Sequence, residues 1–559
     1  MTLTLAANPD ILDRIPLSAQ AVLDVGCGRG ATLAAYRGRN PNCRLFGIDR
    51  DPASCVVART ALDVVAEADA EDRLAPFGAQ KFDCIVYDGS LERMRDPWRV
   101  LAAHAGLLAP GGVVLICVPN VEHWSFTHAL LTGAFDYQES GLFDRAHLRW
   151  FNLESMQNAL KSAGLHPLDV IGRVFDAEAA ASFATALAPA LAAVGVDEAT
   201  YSRRSAPLQY VWRATASAPD RMLLLSTMLD PVGGVSDVRV LQPMQALGRE
   251  PDIDARILAN LELPSVAGDT PRILIFHRPC LVGEDGLSIL QQVHRLGYLT
   301  VCEFDDHPDY LPVLQRSDVL NFVGVHAVQT TTPELAAVLG QRNPNVAVFP
   351  NAVDRLEEPR NFADPNRLTL FFGGINRGGE WPELMPALNA VLREAGDRLA
   401  VQVVNDEAFF DALDTPHKQF TPLCDYATYR AILAGCEISL MPLRDILFNR
   451  CKSDLKFLEA AAARVAPLAS PVVYGAAIRQ GETGLIFASP DEMAAHLRFL
   501  LANPDEARRI ADAARQHVGS HRMLAYQMRQ RRNWYRNLWA RRDVLRRALW
   551  ARVPDLDAD

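Results

Sequence analysis

Two sets of residues in this sequence have the types and spacing that ligand chemistry needs. The first follows the apolar run "AVLDV": Asp24, Gly26, Gly28 and Gly30 read acid-x-Gly-x-Gly-x-Gly. Glycines at a strand-to-helix turn let the backbone approach a ligand closely, because no Cβ stands in the way. Nineteen residues past Gly30 a second apolar run, "RLFGID", ends in Asp49. A carboxylate there can accept two hydroxyl hydrogen bonds, which suits a ribose diol. A dinucleotide fingerprint needs a different spacing, G-x-G-x-x-G. The second set lies far downstream. "FFGGINRGGEW" puts Gly373, Gly374 and Arg377 behind an apolar run, and "NRCKSDLKFLEAAAARVAPLAS" puts Lys452, Lys456 and Glu459 on or just before one helix. Lys452 and Lys456 are four apart, so one helix would carry both on one face. Cations beside a glycine loop suit a diphosphate, and Glu459, a turn further on, can accept hydrogen bonds from a ribose. The plain alternative is a solvated charged helix; the apolar continuation "FLEAAAARVAPLA" favours a packed one.

Two further places draw notice. "GGVSDVRVLQPMQAL" opens a helix behind a glycine loop, where backbone amides favour anions. "CEFDDHPDY" sets Asp305 and Asp306 at the end of an apolar run, able to bind a sugar hydroxyl or a metal, or to cap a helix.

The elements that must position these groups alternate in type. From 20 to 120, "AVLDVG", "RLFGID", "FDCIVYD" and "GGVVLICVP" read as buried strands, separated by helical stretches such as "DPASCVVARTALDVVAEA". "PLDVIGRVF" and "LQYVWRATA" close that series. After the polar "SAPD" a second series runs through "RMLLLSTMLDP", "RILIFHRP", "LTVCEFDD", "HAVQTTT" and "VAVFPNAV". After "EEPRNFADPNR" a third runs through "LTLFFGGINR", "LAVQVVND", "CEISLMPL" and "APLASP". Strands alternating with helices predict parallel sheets covered on both faces. The reading is therefore an α/β chain of three units, 1–216, 220–355 and 356–520, with a basic helical tail at 521–559. Residues 521–553 hold ten arginines and a single acid, Asp543; Trp534, Leu538, Leu545 and Leu549 mark one helical face.

Composition narrows the field. The net charge of −11 over 559 residues argues against nucleic acid as main partner, which needs a broad basic face. The ten cysteines form no CxxC pair, and several sit in apolar runs, the pattern of reduced buried thiols; neither disulfides nor structural zinc are expected. The start, "MTLTLAANPDILDRIP", lacks the features of a signal peptide. The uncharged run 179–196 is mostly alanine and holds Pro189, so a packed amphipathic helix is expected rather than a membrane span. These features point to a cytoplasmic protein.

As a set, the motifs of residues 18–215 resemble the class I S-adenosylmethionine-dependent methyltransferases. "VLDVGCGRG" is similar to their first motif, "GIDRDP" to their ribose-binding strand end and "ADAED" to the segment where an acid, here Asp69, lies near the adenine. "DGSLERMRDPWRVL" and "LLAPGGVVLICVPN" match later motifs. The resemblance implies a Rossmann-like domain that binds S-adenosylmethionine through Asp24, Gly26, Gly28, Gly30, Asp49 and Asp69. "GLFDRAHLRWFN" resembles a signature of members linked to surface-glycan synthesis, which implies a sugar hydroxyl as methyl acceptor. Such a transfer needs a base for the hydroxyl proton, with His123 and His147 as candidates. Relatives often carry histidine where this chain has Arg93. Asp144 and Arg145 form an ion pair or contact substrate; His147 has a plain role open to it as well, bonding within a folded loop.

Residues 220–520 resemble GT-B fold glycosyltransferases, similar to glycosyltransferase family 4. "VRVLQPMQAL", "VQTTTPELAAVL", "VFPNAVD" and "KFLEAAAARVAPLASPVVYGAAIRQGETGLIF" match in order. The resemblance implies a GT-B pair of Rossmann-like domains taking a nucleotide diphosphate sugar, with Arg377 and Lys456 on the diphosphate, Glu459 on the ribose, Gly373, Gly374 and Lys452 beside them, and no bound metal. Asp306 stands with His123 and His147 as a candidate catalytic residue. Relatives place a further glutamate where this chain has Cys451. The expected acceptor is a glycan or lipid-linked glycan. The basic tail has two placements open to it: packed across the first lobe, as in other GT-B proteins, or lying on the inner face of an anionic membrane. The combined expectation is a bifunctional enzyme. Its rivals are a chain with one catalytic domain and one binding or scaffold module, and a dinucleotide-dependent oxidoreductase, which the glycine spacing disfavours.

Overall fold

The computed structural model describes residues 7–266, 268–364, 366–375 and 377–557. It resolves into two compact units: one running to Arg221 together with Arg249–Asp252, the other made of Met222–Gly248 and the chain from Ile253 onward.

The first unit is built on seven strands: β1 (Ala21–Val25), β2 (Arg44–Asp49), β3 (Val64–Glu67), β4 (Phe82–Asp88), β5 (Leu108–Pro119), β6 (His166–Arg173) and β7 (Gln209–Thr215). Their order is 3-2-1-4-5-7-6, and only β7 runs antiparallel to its neighbours. β1 is buried at every position, as an apolar run covered on both faces must be. The helical stretch expected after Asp51 is shorter than its pattern suggests. Asp51 caps and Pro52 opens a helix that ends at Ala58, and the β-branched pair in "DVVAE" joins the sheet edge as β3. The alanine-rich run forms the helix Ala177–Ala193, burying Ala180, Ala184 and Leu191 along one stripe. No helix among the described residues is long and apolar enough to cross a membrane.

The second unit holds two six-stranded parallel sheets. One contains β8 (Met222–Thr227), β9 (Ile253–Leu258), β10 (Arg272–His277), β11 (Leu299–Glu303), β12 (Ala327–Thr330) and β13 (Val346–Val348), in the order 13-12-11-10-8-9. The other contains β14 (Leu368–Gly373), β15 (Leu399–Val404), β16 (Lys418–Thr421), β17 (Ile438–Met441), β18 (Ala466–Ala469) and β19 (Leu485–Ile486), in the order 16-15-14-17-18-19. The architecture is thus a Rossmann-like domain followed by the paired Rossmann-like lobes of a GT-B fold. In all three sheets the direction of strand addition reverses beside the first strand: between β1 and β4, β8 and β10, and β14 and β17. Open parallel sheets bind ligands at the carboxyl ends of the strands flanking such a reversal.

The tail is two helices, Met528–Ala540 and Arg542–Arg552, rather than one continuous face. Leu538, Leu545 and Leu549 are buried as their spacing predicts, while Trp534 is half-buried against Phe349. Leu549 and Leu556 join the core of the β8–β13 lobe beside Leu274 and Phe304. The Tyr535 hydroxyl donates to Gln329 Oε1 at 2.7 Å, and the buried Arg531 guanidinium lies 4.4 Å from the Phe349 ring centre. The helix Pro504–His521 runs up to the expected start of the tail, and the chain then returns to the first lobe of this unit, Leu524 N–H donating to Val353 O at 2.7 Å.

Candidate active sites

In the first unit the glycine loop leaves β1 at the reversal point. Gly26, Gly28 and Gly30 all have positive φ, at 77°, 52° and 79°, a region closed to most side chains. Gly26 is also a close approach: a Cβ there would stand 2.6 Å from Ser90 Cβ, and Ser90 is tied to the loop by donating to Val25 O at 2.5 Å. A Cβ on Gly28 would meet nothing within 4 Å, so its face is open. The loop is locked to the end of β2, where Asp49 accepts from Gly28 N–H at 2.8 Å and from Asp51 N–H at 2.9 Å. Ala68 N–H donates to Asp49 O, which brings the turn holding Asp69 alongside; Asp69 itself accepts from Glu71 N–H at 2.8 Å.

Asp24 is buried within β1, and its Oδ1 has no hydrogen-bond partner among the described residues. Burial holds its carboxyl well above the usual range, and the neighbouring Asp88 and Asp49 push it the same way. Asp88 ends β4 and accepts from Asn8 Nδ2 at 2.7 Å and Thr32 Oγ1 at 3.4 Å; burial raises it too. Three carboxyls therefore gather at one reversal point. Asp88, Asn8, Thr32 and Ser90 escaped sequence reasoning. Asp88 carried a signal, since "FDCIVYD" ends in an acid just as "RLFGID" does.

The two candidate histidines differ. His123 caps the helix Trp124–Thr132, its Nδ1 lying 2.7 Å from Ser125 Oγ. Burial pushes it down to about 4, so it is neutral near pH 7. His147 is nearly enclosed, with Nδ1 3.3 Å from Leu142 O and Nε2 3.8 Å from Glu92 Oε1. Burial lowers His147 and raises Glu92 to about 7, while Glu92 Oε2 is left without a partner among the described residues. Arg93 pairs with Asp144 at 2.8 Å, whereas Arg145 pairs with Glu139 at 2.9 Å, so Asp144 and Arg145 do not pair with one another. The Glu92 backbone carbonyl accepts from the amides of Leu148 and Arg149, which fixes the loop that carries His147.

In the second unit Gly373, Arg377, Lys456, Ser439, Met441 and Tyr474 line a narrow hollow of about 10 Å³ at the reversal between β14 and β17. The sequence candidates Gly373, Arg377 and Lys456 thus come together. Gly374 serves Arg377 instead: a Cβ there would lie 2.3 Å from Arg377 Cγ. Burial pulls the Lys456 ammonium below its ordinary value, against the opposing effect of Glu459.

Several expectations need correction. Lys452 does not share a helix face with Lys456, because the helix starts at Leu455 and Lys452 lies ahead of it. Its ammonium sits 3.5 Å from Asp306 Oδ1 and 4.1 Å from the Phe448 ring centre. Asp306 is accordingly no free carboxylate: Arg278 reaches it at 3.0 Å and Asp305 at 2.6 Å. Glu459 is buried, and both its oxygens are engaged, Oε1 by the Tyr426 hydroxyl at 2.9 Å and Oε2 by the Tyr429 hydroxyl at 3.2 Å. Cys451, standing where relatives place a glutamate, is packed in the apolar core of the β8–β13 lobe.

Two family models match parts of the chain. Residues 5–170 match the family model described as a methyltransferase domain, and residues 388–532 match one described as glycosyl transferase-like. The chain carries a methyltransferase domain toward its N-terminal end and a glycosyltransferase domain toward its C-terminal end. Among curated proteins, trans-aconitate 2-methyltransferase of Escherichia coli O17:K52:H18 is 33% identical over 126 residues, 22% of this chain and 48% of that enzyme. The same enzyme of Methylobacterium radiotolerans is 33% identical over 113 residues, 20% of this chain and 43% of that one. The chain thus spans about half the length of the curated relatives it matches. Solved structures that align with it include TarM, at 11% identity and a TM-score of 0.37 over 47% of this chain and 54% of that one. Another is a SAM-dependent methyltransferase from Archaeoglobus fulgidus, at 16% identity and a TM-score of 0.26 over 35% of this chain and 85% of that one.

Proposed function

We propose that the chain is a bifunctional enzyme of surface-glycan synthesis, transferring a methyl group from S-adenosylmethionine to a sugar hydroxyl and a sugar from a nucleotide diphosphate sugar to a glycan or lipid-linked glycan. The observation that carries this reading is the contrast in side chains between the two strand-end sites. The carboxyls of Asp24, Asp49 and Asp88 gather at the first; burial holds Asp24 and Asp88 toward their neutral forms, and a cofactor bearing a sulfonium and an ammonium would favour their ionised forms and be held by them. Arg377 and Lys456 line the second, where a diphosphate is favoured.

S-adenosylmethionine supplies an electrophilic methyl group when bound. The residues of this domain bind the ribose through Asp49, leave backbone room at Gly28, and take the acceptor's hydroxyl proton. His147 suits that last task better than His123, whose Nδ1 is engaged in a helix cap. With Nδ1–H donating to Leu142 O, the His147 Nε2 lone pair faces Glu92 and completes a pair able to hold one proton. In the second domain Arg377 and Lys456 stabilise the departing diphosphate. Lys452 is held by Asp306 of the β8–β13 lobe.

A second reading, in which the glycosyltransferase half binds without turnover, is favoured by the engaged oxygens of Glu459 and by the burial of Cys451. A mass-spectrometric screen of sugar nucleotides incubated with the full-length protein separates the two. Release of a nucleoside diphosphate that is lost in Lys456→Ala supports the enzyme; no release from any donor supports the binding module.

A further inference from the structure

Glu459, to which the proposed function gives the donor's ribose, lies on the same helix as Lys456 of the hollow, yet the protein's own side chains already occupy it. Tyr426 and Tyr429 lie three apart on the helix Tyr426–Leu433 and so share a face. Their rings are stacked, 6.2 Å apart and 10° from parallel. Each hydroxyl donates to one oxygen of Glu459. The Tyr429 oxygen in turn accepts from Lys456 Nζ at 2.7 Å, and that ammonium lies 4.4 Å from the Tyr429 ring centre. A hydroxyl that donates to a carboxylate and accepts from an ammonium makes the bonds a ribose hydroxyl would make beside a bound diphosphate. The ring shares with Phe371 the room that Gly373 provides: a Cβ on Gly373 would stand 2.8 Å from Phe371 Cζ and 3.0 Å from Tyr429 Cε2. Glu459 keeps only 6% of its side chain exposed, so a ligand cannot reach it past both hydroxyls.

We infer that Tyr426 and Tyr429 are surrogates for the donor's ribose, holding Glu459 and Lys456 until a nucleoside diphosphate displaces their hydroxyls, so that the pair sets how tightly this domain binds a ribonucleotide. The inference rests on the cavity being a donor site. It differs from a merely supporting role in the sign of its effect. Tyrosines that position Glu459 would help the nucleotide bind; tyrosines that compete with it hinder.

The test is calorimetric titration of the full-length protein with uridine and guanosine diphosphates and with their 2′,3′-dideoxy forms. Tyr429→Phe keeps the ring against Gly373 and removes only the hydroxyl. Tyr426→Phe frees Glu459 Oε1 without touching Lys456. Each variant is expected to bind the ribonucleotide about tenfold more tightly than the unaltered protein, the effect of removing roughly one competing charge-assisted hydrogen bond. The dideoxy forms should gain nothing in Tyr426→Phe. Unchanged or weaker ribonucleotide binding in both variants, with Lys456→Ala still abolishing it, overturns the surrogate role and leaves the donor site standing. An equal gain for the dideoxy forms in Tyr426→Phe overturns it also. No binding of any nucleotide by the unaltered protein or either variant overturns the donor site and the inference together.

Discussion

At the scale of single residues, Glu92 is the group whose environment most changes its chemistry. It is buried beside His147, with Arg93, Asp88 and Asp144 as its charged neighbours, and burial carries its carboxyl to about 7. In the unfolded chain it titrates near the ordinary glutamate value, so between roughly pH 4.5 and 7 the folded state holds the extra proton. Stability must then fall as pH rises through that window. Glu92→Gln cannot titrate, and its stability relative to the unaltered protein is expected to improve from pH 4.5 to pH 7 by at most about 3 kcal/mol. Denaturant unfolding at both pH values reads this; a difference that stays constant would mean the carboxyl is not raised. The same variant should slow methyl transfer if the Glu92–His147 pair receives the acceptor's proton. His123→Ala, by contrast, should act through loss of a helix cap, costing about 1 kcal/mol of stability, as cap removal typically does.

At the scale of elements, the loop Gly26–Gly30 and the tail carry the sharpest expectations. Gly26→Ala would force a Cβ against Ser90 at a positive φ, so it should cost stability by about 1–3 kcal/mol and abolish S-adenosylhomocysteine binding. Unaltered binding would contradict the close approach. Leu549→Ala should destabilise the second unit by about 2–5 kcal/mol, because its side chain lies in the core of the β8–β13 lobe. A melting curve unchanged by it would mean that the tail does not pack there. Much of this was legible in the sequence. "VLDVGCGRG" announced strand, loop and helix start, because buried parallel strands are continuous apolar runs and glycine takes the turn's positive φ without strain. The edge strand β3 was hidden, since "LDVVAEA" is short, half-buried and follows a true helix without a break in composition. The single tail face was over-read: a spacing of seven between Leu538 and Leu545 survives the break at Arg541, so periodicity alone does not reveal it. Tyr426 and Tyr429 left no readable signal. They stand about thirty residues from Glu459, and only the packing of two helices brings them to it.

At the scale of the whole molecule, one architectural rule recurs three times. Each sheet reverses its strand order beside its first strand, and glycine loops leave that strand in each case. What distinguishes the sites is the side chains that neighbouring strand ends and helices bring: carboxyls in the first unit, cations in the last sheet. Function is therefore divided by side chains placed on a shared scaffold, not by the scaffold itself. The most direct measurement is calorimetry on the full-length chain with S-adenosylhomocysteine and with uridine and guanosine diphosphates, repeated for Asp24→Asn and Lys456→Ala. Two independent sites predict a crossed result: Asp24→Asn loses the first ligand and keeps the nucleotide, and Lys456→Ala does the reverse. Failure of the unaltered protein to bind either ligand, or loss of both ligands in one variant, would contradict it.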